Sequence, residues 1–224
     1  MQRDSIANTL VVTISLSLVC SLLVSSAAIM LRERQQRNAE VFRKKNVLEA
    51  AGVTAPAVEA AGGVQPYFDS HVQDLIVNLK TGQVDPEGLA AAMDLPLEEA
   101  LAEYEPIKAA KSADGESSLA TAFDRSNKDL AGLGAGRENF AHVYRYNPPE
   151  GEGPIWIFPV RGRGLWSTLK GFIALQSDFQ TIAGLSFYEH AETPGLGGEV
   201  DNPGWKKLWI GKKVYGDGGT LRSA

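Results

Sequence analysis

The chain has 224 residues, 44% of them hydrophobic, a formal net charge of −5 and a single cysteine, Cys20. That length suits a membrane anchor plus one or two compact domains, and one cysteine excludes an intramolecular disulfide or a cysteine-held metal cluster. Residues 1–45 carry seven basic and three acidic side chains, which leaves −9 on residues 46–224; so acidic a globular part excludes a nucleic-acid phosphate backbone as partner.

Residues 5–31 contain no charge, and their apolar centre is residues 10–31. Those 22 residues reach roughly 33 Å as a helix, enough for a bilayer core of about 30 Å. Interior serines such as Ser15, Ser21 and Ser25 can bond back to helix carbonyls. A retained anchor over residues 1–34 is expected. The rival is a cleaved signal peptide with its processing site near Val24–Ala27, although the apolar run is longer than such a peptide needs. Arg32, Arg34, Arg37, Arg43, Lys44 and Lys45 follow the run, and the positive-inside rule alone would put the globular part in the cytoplasm.

Residues 40–51 predict a helix, with Val41, Val47 and Leu48 at helical spacing and Gly52 as its stop. Residues 55–66 are small and carry Gly and Pro, and are expected as a linker. Residues 74–79 predict a strand ending in a turn at Thr81-Gly82. Residues 85–105 predict a helical stretch interrupted at Pro96, with Glu98, Glu99 and Glu103 on a solvated face. Residues 108–136 are expected as loop or weak helix. Beyond them strands dominate: 141–146, a proline-rich hairpin loop over 147–154, then 155–160, whose continuous apolar run implies burial on both faces. Strands over 171–176 and 181–189 follow, joined by 177–180. A helix opens at Pro203, a residue suited to a first turn. The expected class is α+β, a mainly antiparallel sheet with flanking helices on one face. The expected segments are 1–34 (anchor), 35–136 (helical and mixed) and 137–224 (sheet region).

The most informative stretch is Tyr188-Glu189-His190-Ala191-Glu192-Thr193-Pro194-Gly195-Leu196-Gly197-Gly198-Glu199. Three glycines and a proline after an apolar strand mark a sharp bend, or a backbone that approaches a flat ligand closely. Upstream lie Pro159-Val160-Arg161-Gly162-Arg163-Gly164-Leu165-Trp166-Ser167 and Gly184-Leu185-Ser186-Phe187; downstream lie Asp201-Asn202-Pro203-Gly204-Trp205 and Trp209-Ile210-Gly211-Lys212-Lys213. In this order the series resembles the C subunit of the sodium-translocating NADH:quinone oxidoreductase. A weaker likeness is to the homologous G subunit of the related electron-transport complex. The resemblance is dense over the last third of the chain and loose over the N-terminal anchor.

The resemblance implies an FMN-binding-domain fold and an electron-carrying flavoprotein subunit of a sodium-pumping NADH:quinone oxidoreductase. It would relay electrons through FMN toward ubiquinone, with the other subunits of the complex and the membrane as partners. It implies a single-pass protein of a bacterial inner membrane with its soluble domain on the periplasmic side, against the charge rule. Glu192, Thr193, Gly195, Leu196 and Gly197 stand where the family's loop lies against the flavin. The glycines would admit backbone N–H groups to the ring edge, Thr193 would bond a ring carbonyl and Leu196 would cover an apolar face. Trp166 and Ser167 are candidates for the same wall, Trp166 being equally readable as core packing.

Family members hold FMN by a phosphoester to the threonine of a Ser-Gly-Ala-Thr motif, which this sequence lacks. Ser118-Leu119-Ala120-Thr121 has Leu for Gly and precedes the sheet; Gly218-Gly219-Thr220 is too close to the bend and lacks the flanking Ser and Ala. The chain is therefore expected to be truncated before the motif, after about Asp217, and the alternative reading is a membrane-tethered, flavin-free binding or assembly module of the same fold. No catalytic side chain and no metal are expected. His71, His142 and His190 share no ligand spacing and are expected as solvated or hydrogen-bonded. No glycine fingerprint for a dinucleotide follows a strand, so NADH is expected to bind elsewhere in the complex, and one helix cannot form a sodium path.

Overall fold

A computed structural model describes residues 6–111, 118–123, 128–129, 131–134, 136–149, 151 and 153–216. Gly218-Gly219-Thr220 lie outside these described residues. The chain divides into two compact units, Met1–Phe42 and Arg43–Ala224.

The first unit is helix α1 (Ile6–Ala50) up to Phe42. It is long and apolar enough to cross a membrane. Its apolar side chains, Leu16 and Leu22 among them, are exposed, as a lipid-facing helix requires and a core helix does not. Cys20 is exposed on this stretch.

The second unit begins with the last turns of α1, from Arg43. Gly52 at φ +78° stops the helix in the left-handed conformation that glycine tolerates, and the Gly52 and Val53 N–H groups donate to the Glu49 and Leu48 carbonyls. Helices α2 (Ala55–Ala60) and α3 (Val64–His71) follow. They replace the expected linker. Pro56 sits in the first turn of α2, where its missing N–H costs nothing, and α3 is held by burial of Tyr67 and Phe68. Strands β1 (Val72–Asn78) and β2 (Gln83–Val84) form a hairpin through Gly82 at φ +72°. The next helical stretch is broken at Pro96, as expected, into α4 (Pro86–Met93) and α5 (Leu97–Glu103). The Asp85 carboxylate caps α4 by accepting the Gly88 N–H at 2.9 Å. Glu98, Glu99 and Glu103 are exposed.

Among the described residues of 108–136, helix and strand both appear where loop or weak helix was expected. Helix α6 (Pro106–Lys111) is followed by a two-stranded ribbon of β3 (Ala120–Ala122) and β4 (Gly136–Glu138). Thr121 lies in β3 and donates its hydroxyl to Asn139 at 2.6 Å. Then come β5 (Phe140–Tyr146), β6 (Ile155–Arg163), β7 (Thr168–Leu175) and β8 (Ile182–Glu189). A 3₁₀ turn (Gly197–Asp201) and helix α7 (Pro203–Lys207) end the described elements.

Among the described residues the main sheet has six strands in the order β2-β1-β5-β6-β7-β8, all neighbours antiparallel. Both core clusters draw on the even-numbered residues of β1 and β5, which alternation places on one face. One joins Val47, Leu48 and Ala50 of α1, Tyr67 and Phe68 of α3, and Tyr144, Ile157, Phe172 and Ala174 of the sheet. The other joins Ile76 and Phe140 to Leu89 and Tyr104. Burying a side chain such as Ile157 or Phe172 contributes about 1.5–3 kcal/mol. In β6 only Ile157 is fully buried and Pro159 is exposed, so the strand is not covered on both faces as its apolar run suggested. On the other face Phe187 meets Trp205 of α7.

The end of α1 lies directly on β8. A Cβ at Gly184 would collide with the Ala50 carbonyl oxygen, and the buried Ser186 hydroxyl donates to the Asn46 carbonyl at 2.8 Å. This contact fixes β8, and with it the bend that follows Glu189.

Candidate functional site

The bend leaves the end of β8, and the β6–β7 hairpin turn, residues 164–167, lies beside it. The turn is closed by the Gly164 N–H donating to the Ser167 carbonyl at 2.7 Å. One carboxylate holds the two loops together. Glu192 Oε2 accepts the Leu165 N–H, and Oε1 accepts those of Trp166 and Ser167, each at 3.2 Å. Three successive N–H groups converging on one anion form a nest. A return bond runs from the Ala191 N–H to the Ser167 hydroxyl at 2.7 Å.

Glu192 is only 9% exposed. Burial alone would raise its carboxyl above the ordinary value of 4.5, but the N–H donors of Trp166, Ser167 and Leu165 outweigh it and hold the group below that value. The carboxylate points into its own protein, so Glu192 is a brace between loops and not a side chain reaching outward to a ligand.

The glycines have local reasons. Gly195 has φ +75°, a conformation that disfavours a side chain. A Cβ at Gly197 would come within 2.8 Å of Glu192 Oε2, and one at Gly164 would collide with Glu192 Oε1 and Leu169 Cδ1. Two of the glycines thus make room for the buried carboxylate. The Thr193 carbonyl accepts the Leu196 and Gly198 N–H groups at 3.1 and 3.0 Å, tightening the bend and leaving the Thr193 side chain exposed.

Around this brace the surface is open and apolar. Trp166 is 70% exposed and Leu196 73%, so Trp166 is not a core residue. Leu165 is also exposed. The seven sequence-predicted residues are therefore gathered on two adjoining loops with three roles: Thr193, Leu196 and Trp166 outward, Glu192 and Ser167 between the loops, Gly195 and Gly197 shaping the chain. An exposed hydroxyl beside exposed apolar side chains suits a flat heteroaromatic ring with polar edges, so these residues fit FMN.

A cleft of about 330 Å³ flanks the loops, lined among others by Ile107, Lys111, Arg161, Lys170, Glu189 and His190. Its charges are largely paired: Lys170 with Glu189 at 2.6 Å, Arg161 with Glu138, and His190 Nε2 with Asp201 at 2.8 Å. All three histidines have hydrogen-bond partners; His71 meets the Tyr67 carbonyl and His142 meets Asp74. Sequence reasoning missed Gly164 and His190 as parts of this site. Gly164 had a signal, since a glycine two residues before the exposed Trp166 sits at a strand end; His190 had none.

A family model described as an FMN-binding domain matches residues 164–221, beginning at the Gly164 turn. The C subunit of the Na(+)-translocating NADH-quinone reductase of Pseudomonas aeruginosa is 39% identical over 98% of this chain and 77% of the relative. That of Vibrio parahaemolyticus is 35% identical over 95% of this chain and 75% of the relative. The crystal structure of Shewanella oneidensis NqrC superposes with a TM-score of 0.63 at 30% identity, covering 81% of this chain and 73% of that one. The chain belongs to the NqrC family, the C subunits of the Na(+)-translocating NADH-quinone reductase.

Proposed function

We propose that this chain is the electron-carrying flavoprotein subunit of a membrane Na+-pumping NADH:quinone oxidoreductase, relaying electrons through FMN toward ubiquinone in company with the complex's other subunits. The observation that carries this reading is the FMN-binding-domain match over residues 164–221, which takes in both braced loops. The flavin-free module gains no support from relatives that are all named as the reductase subunit.

FMN supplies the electron chemistry; the protein supplies its position and surroundings. In the proposed site Leu196 and Trp166 would give the ring apolar cover and help exclude water, and the Thr193 hydroxyl would be available for a hydrogen bond to it. Gly195 and Gly197 set the bend that presents these groups. Glu192 and Ser167 hold the two loops in register. Nothing in this set acts as a nucleophile or a base. The family's phosphoester tether belongs to a Ser-Gly-Ala-Thr threonine that these 224 residues do not contain, so the contacts proposed here are non-covalent.

Helix α1 would anchor the protein in a single pass, with sodium movement left to multi-span subunits. We place the soluble unit on the periplasmic side, against the basic residues that follow the span. Periplasmic protease treatment of spheroplasts should then digest the soluble unit; complete resistance would reverse the orientation.

The flavin site is tested by titrating the purified protein with FMN and following flavin fluorescence. Trp166→Ala combined with Leu196→Ala should weaken binding about tenfold, the equivalent of about 1.4 kcal/mol of lost apolar contact. Both side chains are largely exposed, so folding stability should move by less than about 0.5 kcal/mol. Unchanged affinity in the double variant would reject the bend as the flavin wall.

A further inference from the structure

We propose that Glu192 is a positioning residue for the flavin wall, and that its carboxylate, seated in the N–H nest of Leu165, Trp166 and Ser167 and backed by His190 and Asp201, sets the placement of Trp166 against Leu196; this rests on the function proposed above. The carboxylate is nearly buried and accepts three N–H groups from a loop 25 to 27 residues away in sequence. Gly164 and Gly197 both leave the space it occupies. Trp166 and Leu196 stand on opposite sides of this junction and are mostly exposed, so core packing does not locate them.

A second tier supports the first. The His190 Nδ1 atom accepts the Glu192 N–H at 3.3 Å, which leaves the ring proton on Nε2, and Nε2 donates to Asp201 at 2.8 Å. The chain of contacts runs from Asp201 at the end of the 3₁₀ turn, through His190, to the backbone of Glu192, and from its side chain to the neighbouring hairpin. The hairpin presents only uncharged residues at 164–167 to the carboxylate, and His190 is the nearest titratable group on its own loop. Lys170 and Glu189 border the adjacent cleft and pair with each other. The nest therefore sees one negative charge with no competing anion from the hairpin.

The test uses the full chain as wild type, Glu192→Gln and Glu192→Asp, with two readouts: hydrogen-exchange protection of the Leu165–Ser167 amides, and FMN affinity by flavin fluorescence. Glu192→Gln keeps the shape and one acceptor but removes the charge, and should lower amide protection by roughly tenfold, about the worth of a charge-assisted hydrogen bond. FMN affinity should fall by a similar factor. Glu192→Asp keeps the charge but withdraws it by about one carbon–carbon bond, roughly 1.5 Å, and should recover part of both losses. Wild-type protection should fall as acid neutralises the carboxylate, and that step should vanish in Glu192→Gln. Equal protection in wild type and Glu192→Gln overturns the brace whatever FMN does. Lost protection with unchanged FMN affinity overturns the positioning role. A wild type that keeps the protected amides yet binds no FMN overturns the flavin reading and leaves the brace standing.

Discussion

Two places, one on β8 and one in the bend that follows it, use glycine for different purposes. At Gly184, deep in the core, the missing side chain lets the end of α1 rest its Ala50 carbonyl on the strand. Just beyond the strand, Gly197 and its neighbour across the gap, Gly164, leave room for the Glu192 carboxylate. The first contact is apolar packing with one buried hydroxyl bond from Ser186. The second is a set of N–H bonds to one charge at the edge of solvent. The seam therefore answers to volume and hardly to pH, and the bend answers to charge. A rigid scaffold carrying a separately controlled loop is a common arrangement for binding sites.

The sharpest way to break this comparison is Gly184→Val. Its branched side chain has no space against the Ala50 backbone, so unfolding free energy should drop by about 3 kcal/mol; a urea midpoint and slope like wild type's would show that the seam yields. Gly164→Ala should cost less, about 1–2 kcal/mol, because a surface hairpin can shift to relieve its clash with Glu192 and Leu169. Its mark should be lost protection of the Leu165–Ser167 amides with the core amides of β7 unchanged; uniform loss across the sheet would join the two regions into one unit.

Acid should sharpen the comparison most gently. The Glu192 carboxyl lies below its ordinary value of 4.5 in the folded protein, so the stability it lends is present above that value and is lost as pH falls through the depressed folded one. Between neutral pH and about 5 the bend should stay closed. Below 4.5 its amides should lose protection before the α1–β8 seam does; simultaneous loss would show that the bend has no titration of its own.

Much of this fold was legible because its signals are local. The strand-like runs at 74–79, 141–146, 171–176 and 181–189 located β1, β5, β7 and β8, and the Ala- and Leu-rich stretch over 85–105 located α4 and α5. Other parts depend on partners remote in sequence. Residues 55–66 read as linker because Ala, Gly and Pro dominate, yet Tyr67 and Phe68 just beyond them find the sheet, and the segment is largely helix. The 120–122 and 136–138 ribbon is too short for any periodicity to reveal. The apolar run 155–160 overstates its burial: Ile157 alone is fully buried, its other neighbours are half-buried, and Pro159, on the same face as Ile157, is exposed. At the site, the glycine bend was readable from composition, and Leu196 from the family resemblance. The inward turn of Glu192 was not, since nothing in an acidic residue's own neighbourhood says that a hairpin 25 residues earlier will offer it three donors.

Ser167 stitches the gap in both directions, giving its N–H to Glu192 while its hydroxyl receives the Ala191 N–H. A joint sewn that way resists peeling, because both bonds hold the same residue and neither gives way without loading the other. Partial opening is thereby penalised, and the surface should be found either fully shut or fully undone. On the flavin reading proposed above, a partner meeting this edge would find one shape and not a spread of half-formed ones.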